Sequence, residues 1–368
     1  EKTRLGIPII PFDETLHGLV RDGATAFPQA IALAATWDTA LMHKVANAIA
    51  DETKQRGIRQ ILSPVVNIVS DVRWGRTEET YGEDPFLSSA MGVAFVSAFE
   101  KKGIITTPKH FIANVGDGGR DSYPIHANER LLEEIYFPPF KACIEKGGSR
   151  SVMTAYNSLD GVASSSNHWL LTEKLKKQWG FDGFVISDAN AVGGEVVLHN
   201  TAKDYAESGL HAISSGLDVI FQTEYKHHEL FIRPFLDGSI DINRINDAVA
   251  RVLKAKFELG LFENPYVSEE IKTNPSHKQI AKQAALESFV LLKNTRLPGQ
   301  ESNTLPFSKN IRSIAVIGTD ATEARLGGYS GPGNNKVSIL DGLKQRAGKN
   351  IKVLYAPGCG RSSEDYVI

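Results

Sequence analysis

The stretch Gly183-Phe184-Val185-Ile186-Ser187-Asp188 decides how this chain is read. Its apolar residues run to Ile186, a small polar residue follows, and a carboxylate closes it. A short apolar run between turn signals is the pattern of a buried strand. Just upstream, Thr172-Glu173-Lys174-Leu175-Lys176-Lys177-Gln178-Trp179-Gly180 has the spacing of an amphipathic helix that stops at a glycine. Helix, then buried strand, then an acid at the tip is how a parallel β/α barrel presents a catalytic group. An aspartate there can equally cap the next helix, so the rest of the chain has to choose.

Working outward, short apolar runs at 7–10, 30–35, 60–66, 104–111, 151–157, 183–188 and 217–221 read as strands. Helical patterns at 40–56, 87–100, 129–145 and 243–259 lie between them. Repeated β-then-α predicts a parallel sheet. Roughly seven units over the first ~260 residues fit an α/β protein of the (β/α)8 TIM-like barrel class, with the missing strand upstream of Glu1. A doubly wound open sheet is the alternative, but its glycine-rich first βα turn is absent. The polar stretch that follows reads as a linker. The expected division is a catalytic barrel over 1–265, a linker over 266–285, and the start of an α/β sandwich domain over 286–368. That last unit offers strands at 313–318 and 351–355, which leaves unpaired edges, so the sandwich domain is expected to be incomplete.

Composition narrows the function. At 368 residues two domains are expected, and a net charge of -2 supplies no electrostatic case for nucleic acid or an anionic membrane. No apolar run approaches the ~18 residues that span a bilayer. Cys143 and Cys359 lie far apart without CxxC spacing and read as free thiols. There is no HExxH zinc spacing and no Walker-type phosphate loop, so no cofactor and no metal is expected.

Polar groups collect at the predicted strand ends. They are Asp13-Glu14-Thr15-Leu16-His17-Gly18, Asp71 to Arg76, Glu78 to Pro85, Lys109-His110, Tyr156-Asn157 and Asp188. Acids, long cations and amphipathic aromatics together suit a ligand dense in hydroxyls. Several have plain structural readings. His17 and His110 fit satisfied core histidines, Arg73 with Glu79 fits a salt bridge under a loop, and Asp84-Pro85 fits an N-cap with proline at the first helical position. Lys109 ends an otherwise buried strand and therefore needs a partner.

These stretches resemble glycoside hydrolase family 3, the β-glucosidase and β-xylosidase group. The matching segments are RLGIPII, ETLHG with GATAFPQAIALAATWD, RWGRTEETYGEDP, TPKHF, GGRDSY, SVMTAYNSLDG, LLTEKLKKQWGFDGFVISD and SFVLLKN, in the family's order over 4–294. The resemblance implies a barrel followed by an α/β sandwich. It makes Asp188 the nucleophile, Arg76, Lys109 and His110 ligands of sugar hydroxyls, and Met153 and Tyr156 lining near the nucleophile. Glu14 falls where glucosidases usually carry an aspartate for the outer hydroxyls of glucose. A glutamate there is common among pentose-cleaving members and fills the space of the missing CH2OH, so xylose is the close second to glucose. Ala189 replaces a tryptophan found in many relatives, which should open that side. Asp121-Ser122-Tyr123 replaces the Asp-Ser-His loop of the N-acetylglucosaminidase branch. A tyrosine, with a pKa of about 10, is a poor proton donor, so that branch is disfavoured.

The implied activity is a retaining exo-acting β-glycosidase that releases terminal non-reducing glucose. It would use two carboxyl groups, one as nucleophile and one as acid/base. The acid/base is expected outside this sequence; Glu364 lies in no matching motif and is not assigned the role. The expected partner is a small-molecule glycoside or oligosaccharide, with a homodimer or a second chain completing the sandwich domain. Secretion or a periplasmic location is favoured over the cytoplasm. Two rival readings are a sugar-binding fragment without full catalysis and a metal-dependent barrel hydrolase using His17 and His110.

Overall fold

The computed structural model describes residues 4–116, 120–268, 270–272, 274–299 and 301–359. Its strands are short: β1 (Phe12–Asp13), β2 (Gln60–Ile61), β3 (Ser151–Met153), β4 (Ser158–Leu159), β5 (Val162–Ala163), β6 (Phe184–Ile186), β7 (Ser313–Ile317) and β8 (Lys352–Ala356).

In the first unit, apart from the antiparallel hairpin of β4 and β5, the neighbours are parallel and follow chain order. β1 pairs with β2, Gln60 bridges to Ile105, Val65 to Lys109, and Phe111 to Thr154. β3 then pairs with β6, with Met153 opposite Ile186, and Ile186 bridges to Val219. The Phe221 ring returns to meet Phe12 edge-on, with centroids 5.3 Å apart. The regular ladders form two-stranded sheets among the described residues, so they do not amount to the continuous eight-stranded barrel expected from sequence. What they do establish is an α/β architecture in which successive parallel segments place their C-terminal tips side by side.

Four predicted strands differ from the structure: 104–111 and 217–221 meet their neighbours only through isolated bridges at Ile105, Lys109, Phe111 and Val219, and two others depart further. Residues 30–35 form a helix, Ala30–Ala34, whose Ala30, Leu33 and Ala34 are buried at i, i+3, i+4. Alanine is the best helix former, and the run is too short for apolar content alone to separate strand from helix. Residues 7–10 are not paired as a strand, and pairing begins at Phe12. Pro8 and Pro11 have no N–H to give a ladder. The Pro11 carbonyl instead accepts from the N–H groups of Arg59 and Gln60.

The helices follow their sequence signals closely. Thr39–Gln55 starts at Asp38, whose carboxylate accepts from Leu41 N at 2.9 Å. Pro85–Glu100 starts at Asp84, which caps Leu87 N, with proline in the first turn as predicted. These two helices pack together through Leu41, Val45, Ile49, Phe95 and Phe99, all buried in one core cluster. Each phenylalanine buried this way contributes on the order of 2–3 kcal/mol. The predicted helix at 129–145 is continuous but includes a π segment, Leu132–Tyr136. The helix before Asp188, Trp169–Gln178, also has π geometry.

The stretch expected as a linker contains most of a helix, Pro275–Glu287, that packs back on Thr39–Gln55. His277 Nδ1 meets Glu52 Oε1 at 2.7 Å, and the same carboxylate accepts from Thr25 N and Oγ1. Beyond it, β7 and β8 pair in parallel over five residues and hold a small core of Val316, Ala321 and Leu340. Both strands leave most side chains exposed, with Ile317 at 71%.

Candidate active site

Asp188 lies two residues beyond β6 and is buried. Its Oδ1 accepts from Ala189 N at 2.7 Å, while the next helix, Gly194–Val197, has no side-chain cap. Asp188 is therefore not a helix N-cap. Its Oδ2 is buried and has no hydrogen-bond partner among the described residues. A buried carboxylate oxygen is costly to leave unpaired, so one without a partner at a strand tip marks a place for a ligand.

The surrounding groups come from the neighbouring tips. Lys109 Nζ donates to Glu14 Oε1 at 2.7 Å, which supplies the partner its burial demands. Glu14 Oε2 is, like Asp188 Oδ2, buried without a hydrogen bond among the described residues. Arg76 is clamped by Glu79 through Nε at 2.8 Å and a second nitrogen at 2.6 Å. Arg73 pairs with Asp71 rather than with the predicted Glu79. A bidentate pair three residues apart aims a guanidinium much more firmly than a single contact across a loop.

His110 is positioned by a residue that sequence reasoning missed, Asn67. The Asn67 amide nitrogen donates to the carbonyls of His110 and Ala113 at 2.9 and 3.1 Å. That orients its oxygen to accept from His110 N at 2.8 Å and Nδ1 at 2.9 Å. His110 therefore carries its proton on Nδ1, and Nε2 offers a lone pair to Arg76 at 3.1 Å. The 3.5 Å approach of Nε2 to Asp188 Oδ2 is consequently not an ion pair. Burial, and then the cations of Arg76, Lys109 and Arg120, hold the imidazole pKa well below its ordinary value, so the ring is neutral.

Burial raises the Asp188 pKa above the usual aspartate value, although Lys109, the Ala189 N–H, Arg76 and Tyr156 pull against it. Glu14 is raised as well, first by burial and further by the Asp188 charge, with Lys109 opposing. Tyr156 donates to the Ala189 carbonyl at 2.8 Å. Burial and the nearby carboxylate push its phenol pKa up, so it remains a neutral donor. Met153 sits deeper, packed with Leu62, Ile105, Phe184 and Ile186 as an apolar floor. Tyr123 is partly exposed, and Asp121 is held by Arg120. Glu364 lies outside the described residues.

Sequence reading also missed Tyr329. Its ring lies 5.1 Å from Lys109 Nζ and 5.7 Å from the Arg76 guanidinium carbon. Cations held over a ring face are attracted by its quadrupole. The second unit thus places an aromatic on the very cations that border the carboxylates. No local pattern signals this; the only cue is the small-residue run around Tyr329, Gly327-Gly328-Tyr329-Ser330-Gly331.

Comparison with known proteins agrees with the geometry. Residues 1–255 match the glycosyl hydrolase family 3 N terminal domain and residues 289–366 match its C-terminal domain. A beta-xylosidase of Formosa agariphila is 36% identical over 97% of this chain and 53% of its own length. A periplasmic beta-glucosidase of Salmonella typhimurium is 33% identical over 100% of this chain and 49% of its own. Among solved structures, a β-glucosidase from Erythrobacter marinus aligns at TM-score 0.89 and 34% identity, covering 99% of this chain and 49% of that one. One from Listeria innocua in complex with glucose aligns at 0.86 and 30%, covering 99% and 50%. The chain spans about half the length of the relatives it matches. With both domain matches in order and this cluster of residues at the strand tips, the chain belongs to glycosyl hydrolase family 3.

Proposed function

We propose that this chain carries the nucleophile half of a retaining, exo-acting β-glycosidase that takes terminal non-reducing β-D-glucosyl residues. The observation that carries the reading is Asp188 Oδ2, buried without a hydrogen-bond partner among the described residues, 3.5 Å from His110 Nε2. In this reading 1–265 is a (β/α)8-type barrel, supported by parallel neighbours in chain order and the Phe12–Phe221 contact. Residues 286–368 begin the sandwich domain.

Asp188 Oδ2 attacks the anomeric carbon and forms a glycosyl ester, and the bond to the leaving oxygen breaks with its electron pair going to that oxygen. Water then attacks the same carbon, the ester C–O bond breaks with its electron pair returning to Asp188, and the proton that water loses passes to solvent. Lys109 and Arg76 donate to sugar hydroxyls, and Glu14 Oε2 accepts from them. Neutral His110 presents no positive charge to neutralise the nucleophile. No described residue takes the role of proton donor for poor leaving groups. Export of the protein fits a role in trimming oligosaccharides.

Glu14 favours a second reading, a β-xylosidase, because its extra methylene occupies space where a hexose CH2OH would lie. The test is covalent trapping with a 2-deoxy-2-fluoro-β-glucoside bearing dinitrophenolate, which departs without a proton donor, followed by peptide mass spectrometry. Label on the peptide that contains Asp188 supports the retaining glucosidase. Label only from the fluoroxyloside shifts the substrate to xylose. No label from either overturns the nucleophile assignment.

A further inference from the structure

The chain segment around Tyr329 is held to the first unit by side chains that the reaction itself does not use. Gln29 Nε2 donates to the Leu326 carbonyl at 3.1 Å, and Glu78 Oε1 accepts from Gly328 N at 2.9 Å. Gly327 lies so close to Gln29 that a Cβ would overlap the amide. Between them stands His17, 1% exposed, from the loop after β1. Gly18 beside it has φ +145, and a Cβ there would meet Thr25 O at 2.4 Å, so the backbone that aims His17 requires glycine.

His17 Nδ1 is 2.8 Å from the Phe27 carbonyl, which only accepts, so Nδ1 carries a proton. Nε2 is left with a lone pair that accepts from Ser330 Oγ at 3.0 Å, while the Gly328 carbonyl, itself an acceptor, only lies against it at 3.2 Å. The ring therefore holds Ser330 by a hydrogen bond and touches Gly328, the residues on either side of Tyr329. Tyr329 itself has φ +50, a conformation that a bulky side chain rarely adopts. Such a conformation persists only where its surroundings over-determine it. The contacts of His17, Glu78 and Gln29 supply that determination.

Resting on the sugar-site reading above, we propose that His17 is a positioning residue. Acting through Ser330, it fixes Tyr329 as the wall that closes the sugar site over Lys109 and Arg76. The hydrogen bonds of the His17 ring go to Phe27 and Ser330, and none among the described residues reaches Asp188, Lys109 or Arg76. His17 therefore acts on binding and not on bond breaking. The sequence spacing, 313 residues from His17 to Ser330, makes this a contact between the two units.

The experiment compares KM and kcat for dinitrophenyl β-glucoside and β-xyloside in the full chain. Tyr329→Ala, His17→Ala and Ser330→Ala each raise KM about tenfold and leave kcat within about twofold, the signature of lost ground-state binding. Ser330→Ala breaks the grip without opening a cavity beside the buried ring, so the test survives a His17 variant that folds poorly. His17→Ala with Tyr329→Ala together costs no more than about twofold beyond Tyr329→Ala alone, because coupled residues are non-additive. Hydrogen exchange in peptides covering 326–331 rises in His17→Ala and Ser330→Ala, independent of turnover. An unchanged KM in both latch variants while Tyr329→Ala raises it overturns the inference, as does full additivity. Wild-type protein that neither turns over nor traps either sugar overturns the sugar-site reading, and the inference with it.

Discussion

The carboxylate site of the first unit and the Tyr329 loop of the second border the same pair of cations but are built differently. Around Asp188 the buried Arg76, His110 and Lys109 are each fixed by short bonds: Glu79 on Arg76, Asn67 on His110, and the part-buried Glu14 on Lys109. Around Tyr329 the parent sheet is only β7 and β8, largely exposed, and the loop borrows its rigidity from His17, Glu78 and Gln29 across the interface. The difference teaches that chemistry and enclosure have been placed on elements of unequal stability. The carboxylate sits against a large buried core and the Tyr329 wall beside a small, exposed one, so local opening is expected to cost more at the first than at the second.

The largest expected effect separates the two regions outright. Asp188→Ala removes the proposed nucleophile and is expected to lower turnover of dinitrophenyl glycosides by roughly 10⁴-fold or more. A variant that keeps a substantial fraction of activity breaks the assignment of chemistry to the first unit.

Stability sharpens the contrast next. Phe99→Ala, in the core shared by helices Thr39–Gln55 and Pro85–Glu100, costs about 3–5 kcal/mol in denaturant unfolding. Val316→Ala, in the small cluster beside β7, costs about 1 kcal/mol. Equal costs would dissolve the proposed inequality of the two units.

A pH experiment probes the strain stored at the site. The folded Asp188 pKa is raised above its unfolded value, mainly by burial, so the folded state binds that proton more tightly. The associated stability is present below the unfolded pKa and is lost as pH rises through the folded one. At neutral pH the wild type has lost it, whereas Asp188→Asn keeps a neutral isostere. The Asn variant therefore melts higher than wild type at pH 7, and the gain disappears once pH falls below the ordinary aspartate range. A variant that melts lower at pH 7 would show that Lys109 and Arg76 outweigh desolvation.

The smallest effect concerns substrate choice. Glu14→Asp shortens the side chain by one methylene, and it shifts the ratio of kcat/KM for glucoside over xyloside toward glucose by about tenfold. No change in the ratio would move the specificity determinant to another residue.

Much of this was legible before any fold was known. The caps at Asp38 and Asp84 and the stop at Gly180 are local signals, and local hydrogen bonds set them regardless of context. The place of Asp188 at a buried strand tip was legible because an acid that ends a buried apolar run breaks its own pattern. The Ala30–Ala34 helix was misread because five apolar residues carry no readable period. The partner of Glu79 was misplaced because Arg73 and Arg76 lie in the same loop, and only the turn geometry selects between them.

By itself, then, the sequence determined the general alternation of α and β segments and the main helices, the residue types at the strand tips and the family to which they belong, all of which depend on neighbours along the chain. The tertiary structure alone decided which charges cancel, which oxygens are left unpaired at Asp188 and Glu14, which nitrogen of His110 holds the proton, and that Tyr329 stands over Lys109 and Arg76. Those outcomes depend on burial and on distances between residues far apart in the chain, quantities that exist only once the chain has closed on itself.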